Sequence, residues 1–303
     1  CEAFGSFLLM LRFVPMFGGK GIWISVFLSV SAYCNAGFDI LGFLKPDASL
    51  ELFVGDPLVC LTICCLIILG GIGFIVTVDL YNWGRKRVRK EERRPHLTLH
   101  TRIVLVSTAS LLVLGTVLTL GLEYDHTLKD LNFWEKLNAS FFQSVTARTA
   151  GYATIPQGEL GDATKLVTII LMFIGASPSS TGGGIKTTTF VVLVATVVSI
   201  SRGRDETVIN KRRVDKSVVY RAMTIVAMAF LVIAITSGVI MVTTPPEVSA
   251  IDAVYEAVSA FGTVGLTTGL TPDLSIVAKI LVMLTMFIGR VGPISLVLAL
   301  TMK

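Results

Sequence analysis

The sequence predicts an all-α polytopic membrane protein assembled from a repeated unit, and three observations carry that expectation. Of 303 residues, 53% are hydrophobic and only 16% charged, with a mean hydropathy of +0.76. A soluble domain has about a quarter of its residues charged. The apolar residues are gathered into long runs, and most basic ones into two segments between those runs. A short motif ending near a glycine occurs three times: SVSAYCNAGF at 29–38, SVTARTAGY at 144–152 and AVSAFGTVGL at 257–266. Its glycines, Gly37, Gly151 and Gly265, stand 114 residues apart, although the second copy is one residue shorter inside. Solenoid repeats have periods of roughly 20–50 residues, so this one indicates a duplicated module.

Charge and cysteine content exclude several classes. The net charge of +5 is concentrated in the two basic segments, which points to membrane orientation and excludes a nucleic-acid partner. Of the five cysteines, Cys34, Cys60, Cys64 and Cys65 lie in or beside apolar runs and Cys1 opens the chain. No CxxC pair faces a second, so they read as small core residues and not as a zinc site. Residues 1–14 lack a basic leader and a cleavage site and are already helical in character. The expectation is a chain that begins inside a larger protein.

The elements follow in order. Residues 1–14 read as a helix cut short. Residues 23–33 are apolar but too short to span a bilayer, and so read as re-entrant, ending at the first glycine motif. A polar, turn-rich stretch covers 42–57. Residues 58–80 then make one span, since about 20 apolar residues cover the roughly 30 Å hydrocarbon core. The segment 84–96 carries Arg85, Lys86, Arg87, Arg89, Lys90, Arg93 and Arg94 against Glu91 and Glu92; the positive-inside rule makes it cytoplasmic. Residues 102–122 return, 123–130 turn outside, and 132–147 form a second short helix ending at the second motif. Residues 163–201 are too long for one span and are broken at 175–189. The segment 202–216, with Arg202, Arg204, Lys211, Arg212, Arg213 and Lys216, falls on the cytoplasmic side again. Residues 217–242 span outward, 243–247 turn, 249–261 form the third short helix, and 275–300 span inward. The unit is thus span, short helix, glycine segment, span, complete twice and truncated once. It divides the chain at 1–83, 84–201 and 202–303, with every glycine segment on the outer side. A second marker, Phe173-Ile174-Gly175 and Phe287-Ile288-Gly289, keeps the period of 114. Its counterpart in the first copy is placed within 69–73.

This pattern suits cation conduction. A dehydrated cation needs close oxygen ligands, and backbone carbonyls supply them without a fixed charge to trap it. Glycine reaches the required backbone angles cheaply, and irregular backbone at membrane depth is tolerated only around a cavity. Each short helix also aims its partially negative C-terminus at its glycine segment. Helix-packing glycines are the plainer explanation for any single copy; three at one spacing favour a filter. The run GASPSSTGGGIKTTT at 175–189 offers flexible glycines and small hydroxyls suited to a gate, with a fixed helix break as the alternative. A phosphate loop is excluded because Ile185 separates Gly184 from Lys186. Arg290 lies in an apolar span, where a charge is costly unless it faces water or a partner. It reads either as a barrier in the pathway or as a structural ion pair, and Lys186 has the same two readings. A non-conducting scaffold or receptor and a pump subunit are the competing functions. No soluble catalytic domain supports the pump, and an enzyme is not expected.

The residues of SAYCNAGFD at 31–39, TARTAGY at 146–152, SPSSTGGGIKTTT at 177–189 and AFGTVGL at 260–266 resemble the Trk/Ktr/HKT superfamily of potassium transporters over essentially the whole chain. The resemblance implies four span–pore helix–filter–span repeats around a pseudo-fourfold, potassium-channel-like pore, of which the second to fourth are present here. It implies that Cys34, Asn35, Ala36 and Gly37, then Arg148, Thr149, Ala150 and Gly151, then Gly262, Thr263, Val264 and Gly265 form the filter. Potassium would be held by their backbone carbonyls, with no covalent cofactor and with sodium as a second candidate ion. In related plant members, Ser in place of the first-filter glycine goes with sodium preference; the three visible positions are Gly, which favours potassium. The resemblance further implies a gate of Gly175, Ser177, Pro178, Thr181, Gly182, Gly183, Gly184 and Lys186, with Arg290 beside it. It also implies a homodimer in the lipid of a bacterial plasma membrane. Segments 84–96 and 202–216 would face a cytosolic, nucleotide-binding regulatory subunit (KtrA-like).

Overall fold

The computed structural model describes residues 1–46, 48–89, 96–204, 206–210, 212–245 and 248–292. These residues form eleven α-helices and one small hairpin, taken here as three successive units in chain order, with α4 running past the expected boundary at residue 83. The first unit has α1 (Glu2–Phe17), the short α2 (Gly19–Tyr33), α3 (Pro57–Gly71) and α4 (Phe74–Val88). The second has α5 (Leu99–Glu123), the short α6 (Phe133–Thr146), α7 (Asp162–Phe173) and α8 (Thr187–Ser201). The third has α9 (Lys216–Thr243), the short α10 (Ala250–Gly262) and α11 (Ile276–Val291).

Local chemistry sets the helix starts. Asp56 accepts the Leu58 and Val59 amides, with Pro57 in the first turn of α3. Thr98, Asp215 and Ser275 cap α5, α9 and α11 in the same way, each satisfying a donor that has no intrahelical partner. Helices α5 and α9 are long and apolar enough to cross a membrane, with mean hydropathies of 2.3 and 2.7. Both present large apolar side chains outward, such as Val106, Val113 and Val117 on α5 and Phe230, Leu231 and Ile235 on α9. Inside, Leu9, Phe13, Leu28, Ile63, Phe142 and Tyr152 form one buried core. Met172, Ile233, Tyr255 and Phe261 belong to a second.

Three expectations are corrected. The span expected over 58–80 is not straight: α3 and α4 meet at a bend of 99°. Gly73 adopts φ 88°, and its amide neighbour Phe74 donates to the Ser179 carbonyl at 3.0 Å, so a loop from the second unit fills the bend. The segment 84–96 is not all loop, because α4 continues to Val88. Arg85, Lys86 and Arg87 lie in its last turn, where positive charge complements the helix dipole. The segment 202–216 contains the antiparallel strands β1 (Val208–Ile209) and β2 (Arg212–Arg213), where an open loop was expected. Lys90, Glu91, Glu92, Arg93, Arg94, Lys211 and the 293–300 part of the last expected span lie outside the described residues.

Candidate functional site: three glycine segments over a glycine-rich loop

The three short helices end at Tyr33, Thr146 and Gly262, each at the start of a glycine segment. The amide just before each glycine turns back to a carbonyl of its own helix. Ala36 donates to Ser31 at 2.9 Å, Ala150 to Thr146 at 3.0 Å and Val264 to Ser259 at 2.9 Å. On either side of that residue the backbone is left-handed. Asn35 and Gly37 have φ of 50° and 70°, Thr149 and Gly151 of 74° and 89°, and Thr263 and Gly265 of 50° and 93°. Alternating left-handed and ordinary residues lets successive carbonyls face one side, whereas those of an extended strand alternate. Asparagine enters this region readily; a β-branched threonine does so only at a cost held by its surroundings. Sequence reasoning assigned the conformational demand to glycine alone and missed Asn35, Thr149 and Thr263 as its partners. The 114-residue spacing of these three was the available signal.

The segments sit side by side in chain order. A Cβ on Gly37 would run into the Ala150 carbonyl oxygen, and one on Gly151 into that of Val264. Gly265 meets only Gly151 Cα, at 3.8 Å. The Asn35 side chain bonds the Thr149 hydroxyl at 3.2 Å. Buried Tyr152 donates its hydroxyl to the Phe38 carbonyl at 3.1 Å, tying the second segment to the first. Thr146 and Ser31 brace the carbonyls of Tyr152 and Phe38 at 2.6 and 2.8 Å. Within the second unit Gln143 and Gln157 pair through both amides, and Tyr255 of the third donates to Gln157 at 2.8 Å. Lys165 meets Asp252 at 2.8 Å. Buried Glu256 accepts from Thr267, from the Thr268 amide at 3.1 Å and from Thr271 at 2.9 Å. Sequence reasoning missed this brace, although an acidic residue in an apolar helix is itself a signal.

Directly against the segments lies the loop 174–186. It is slightly shorter than the expected 175–189, because Thr187, Thr188 and Thr189 open α8. Its glycines are needed for close approach. A Cβ on Gly182 would strike the Thr149 hydroxyl, one on Gly183 the Thr263 hydroxyl, and one on Gly175 the Gly183 carbonyl. Gly184, at φ 67°, packs on Gly262 Cα. The loop is tied to all three units. The Ser177 amide donates to Gly71 at 3.1 Å, and the Ser177 hydroxyl shares a bond with Thr187 at 3.2 Å. The Thr181 hydroxyl donates to the Tyr33 carbonyl at 3.3 Å. The Pro178 carbonyl fills the place a Cβ on Gly73 would take. Lys186 Nζ donates to the Gly182 carbonyl at 2.7 Å, and Arg290 donates to the Thr181 carbonyl. Both cations thus hold loop carbonyls, and all nine residues expected at the gate form one assembly. Gly70 and Gly289 let their helices pass under the Tyr33 and Phe261 carbonyls, where any Cβ would collide. This puts the first-copy marker at Gly70.

The oxygen atoms that the three segments offer a ligand are chiefly those of their main-chain carbonyls. The side chains of the first residue in each quartet diverge. Cys34 is exposed, Gly262 closes α10, and Arg148 is buried against α3 and α5.

A family model described as TrkH, a cation transport protein, matches residues 12–303. The Ktr system potassium uptake protein B of Bacillus subtilis is 39% identical, over 98% of this chain and 64% of its own length. The potassium/sodium uptake protein NtpJ of Enterococcus hirae is 40% identical, over 100% of this chain and 65% of its own length. Among solved structures, the potassium transporter TrkH from Vibrio parahaemolyticus superposes with a TM-score of 0.72 at 18% identity. That match covers 98% of this chain and 62% of the other, and at this identity the likeness concerns the fold. The chain spans less than two thirds of the length of these relatives.

Proposed function

The chain belongs to the TrkH cation transport protein family, and from that premise we propose that it forms most of the wall of a gated potassium pore in a bacterial plasma membrane. The observation that carries this reading is the pair of left-handed residues in each glycine segment, 35/37, 149/151 and 263/265, stacked in order around one side. A potassium ion shedding water is met by the carbonyls of Cys34, Asn35, Ala36 and Gly37 and of their counterparts at 148–151 and 262–265. The C-terminal ends of α2, α6 and α10 add negative potential that favours a cation. The loop 174–186 lies across the path below and is the gate, held by Lys186 and Arg290 through its carbonyls. Flux is passive, driven by the membrane potential, with or without the assistance of sodium. The units 1–83, 84–201 and 202–303 are three repeats of one pore-forming element. Their basic segments, 84–96 and 202–216, face the cytoplasm, where a homodimer meets a nucleotide-binding regulatory subunit.

The test is potassium uptake by cells lacking their own uptake systems, with the chain expressed within its full-length protein. Restored growth at low potassium supports the reading. Absence of uptake, with the protein and its regulatory subunit both present at the membrane, overturns it.

A further inference from the structure

One cation in the site is left over. Arg148 is 8% exposed, its Nε has no hydrogen-bond partner, and none of the salt bridges among the described residues includes it. It lines a cavity of about 10 Å³ with Ile67, Ile68, Gly71, Thr108, Leu112 and Ala176. The Thr108 hydroxyl is also without a partner. That space suits about one water molecule and no neutralising side chain. An unpaired buried charge is costly, and within a membrane it marks function by default. The negative potential closest to Arg148 along the chain is the end of its own helix: α6 ends at Thr146, and Ala147 is its C-cap. At the same place in the other two copies stand Cys34 and Gly262, which carry no charge. Two pore helices therefore present an uncancelled negative end to the filter, and the third carries a positive charge against it.

We propose that Arg148 is a fixed counter-charge behind one segment of the filter, which weakens cation binding there and so sets the apparent affinity for the transported ion. The proposal rests on the potassium-pore reading above and adds a determinant to it. The Arg148 side chain touches no ion; whereas its carbonyl belongs to the filter, its guanidinium acts through the field of its helix end, as a positioning charge. It keeps the filter from binding a cation too tightly to release, the balance conduction requires. A unit charge roughly 10 Å from a bound ion, at an effective dielectric constant of about 20, alters the binding constant on the order of tenfold.

The experiment measures rubidium or potassium uptake against external concentration in cells lacking other uptake systems. It compares the full-length wild-type protein with Arg148→Gln and Arg148→Lys, each quantified in the membrane. Arg148→Gln is expected to lower KM about tenfold and reduce the maximal rate, while Arg148→Lys keeps KM within about twofold of wild type. A merely structural arginine would change the amount of protein or the maximal rate without this split. An unchanged KM in Arg148→Gln, an equal shift in both variants, or failure of Arg148→Gln to reach the membrane assigns the residue to packing and overturns the proposal. Failure of wild-type uptake would instead strike the transport reading itself.

Discussion

Gly151 and Gly265 occupy the same place in two copies of one motif, with φ of 89° and 93°, yet they stand in different surroundings. Gly151 is pressed against the Val264 carbonyl, and Gly265 has only ordinary contact with Gly151 Cα at 3.8 Å. Both need a residue at ease in left-handed backbone; only Gly151 also needs the absence of a Cβ within this chain. A repeat in sequence therefore does not imply equal tolerance, because neighbours are set by where each copy packs.

The largest expected effect sharpens this contrast. Gly151→Ala sets a methyl group into a backbone carbonyl that cannot move aside, and Gly37→Ala does the same against Ala150. Each should abolish uptake, by at least about a hundredfold, with reduced protein in the membrane. Gly265→Ala carries only the backbone cost, roughly 1–2 kcal/mol; it should assemble and lose about tenfold in uptake. Equal behaviour of Gly151→Ala and Gly265→Ala would break the distinction.

A second contrast lies between the segments and the loop they rest on. The segments are braced by bonds within and between units, whereas Arg290 and Lys186 grip the loop by its Thr181 and Gly182 carbonyls. Arg290→Gln should raise uptake severalfold at unchanged protein level; no rise would leave the loop as fixed structure. Thr149→Val removes the bond to Asn35 while keeping the side chain's shape. It should cost about 1 kcal/mol, read as a small fall in Tm of the purified protein. The smallest effect is expected far from the glycine segments. Asp215 accepts the Ser217 amide at 2.7 Å, and that bond above all holds its carboxyl below the ordinary value. A depressed carboxyl contributes stability above its unfolded pKa that is lost as pH falls through the folded one. Asp215→Asn should flatten the acid limb of the Tm profile slightly and leave uptake at neutral pH unchanged.

How much of this was legible depended on repetition. Gly37, Gly151 and Gly265 announce themselves because three copies at one spacing repeat one backbone demand. The loop occurs once, so its composition revealed a break, expected at 175–189, but not its partners. That Gly182 and Gly183 yield space to the Thr149 and Thr263 hydroxyls, or that Gly70 passes beneath the Tyr33 carbonyl, depends on contacts between distant units. The bend between α3 and α4 was hidden for the same reason: residues 58–80 have the hydropathy of a straight span, and the loop from another unit fills the bend. Arg148 read as one of four carbonyl donors, and its chain position carried no hint that its side chain would be buried without a partner.

The measurement that bears most directly on the pore is the potassium-over-sodium ratio of uptake in Gly265→Ser, compared with wild type in the full-length protein. Gly265 has room for the side chain within this chain, so the variant should reach the membrane. It should conduct with a clearly weakened preference for potassium, because the strained backbone no longer holds its carbonyls at the spacing a potassium ion needs. Robust uptake with an unchanged ratio would contradict the assignment of these segments as the filter.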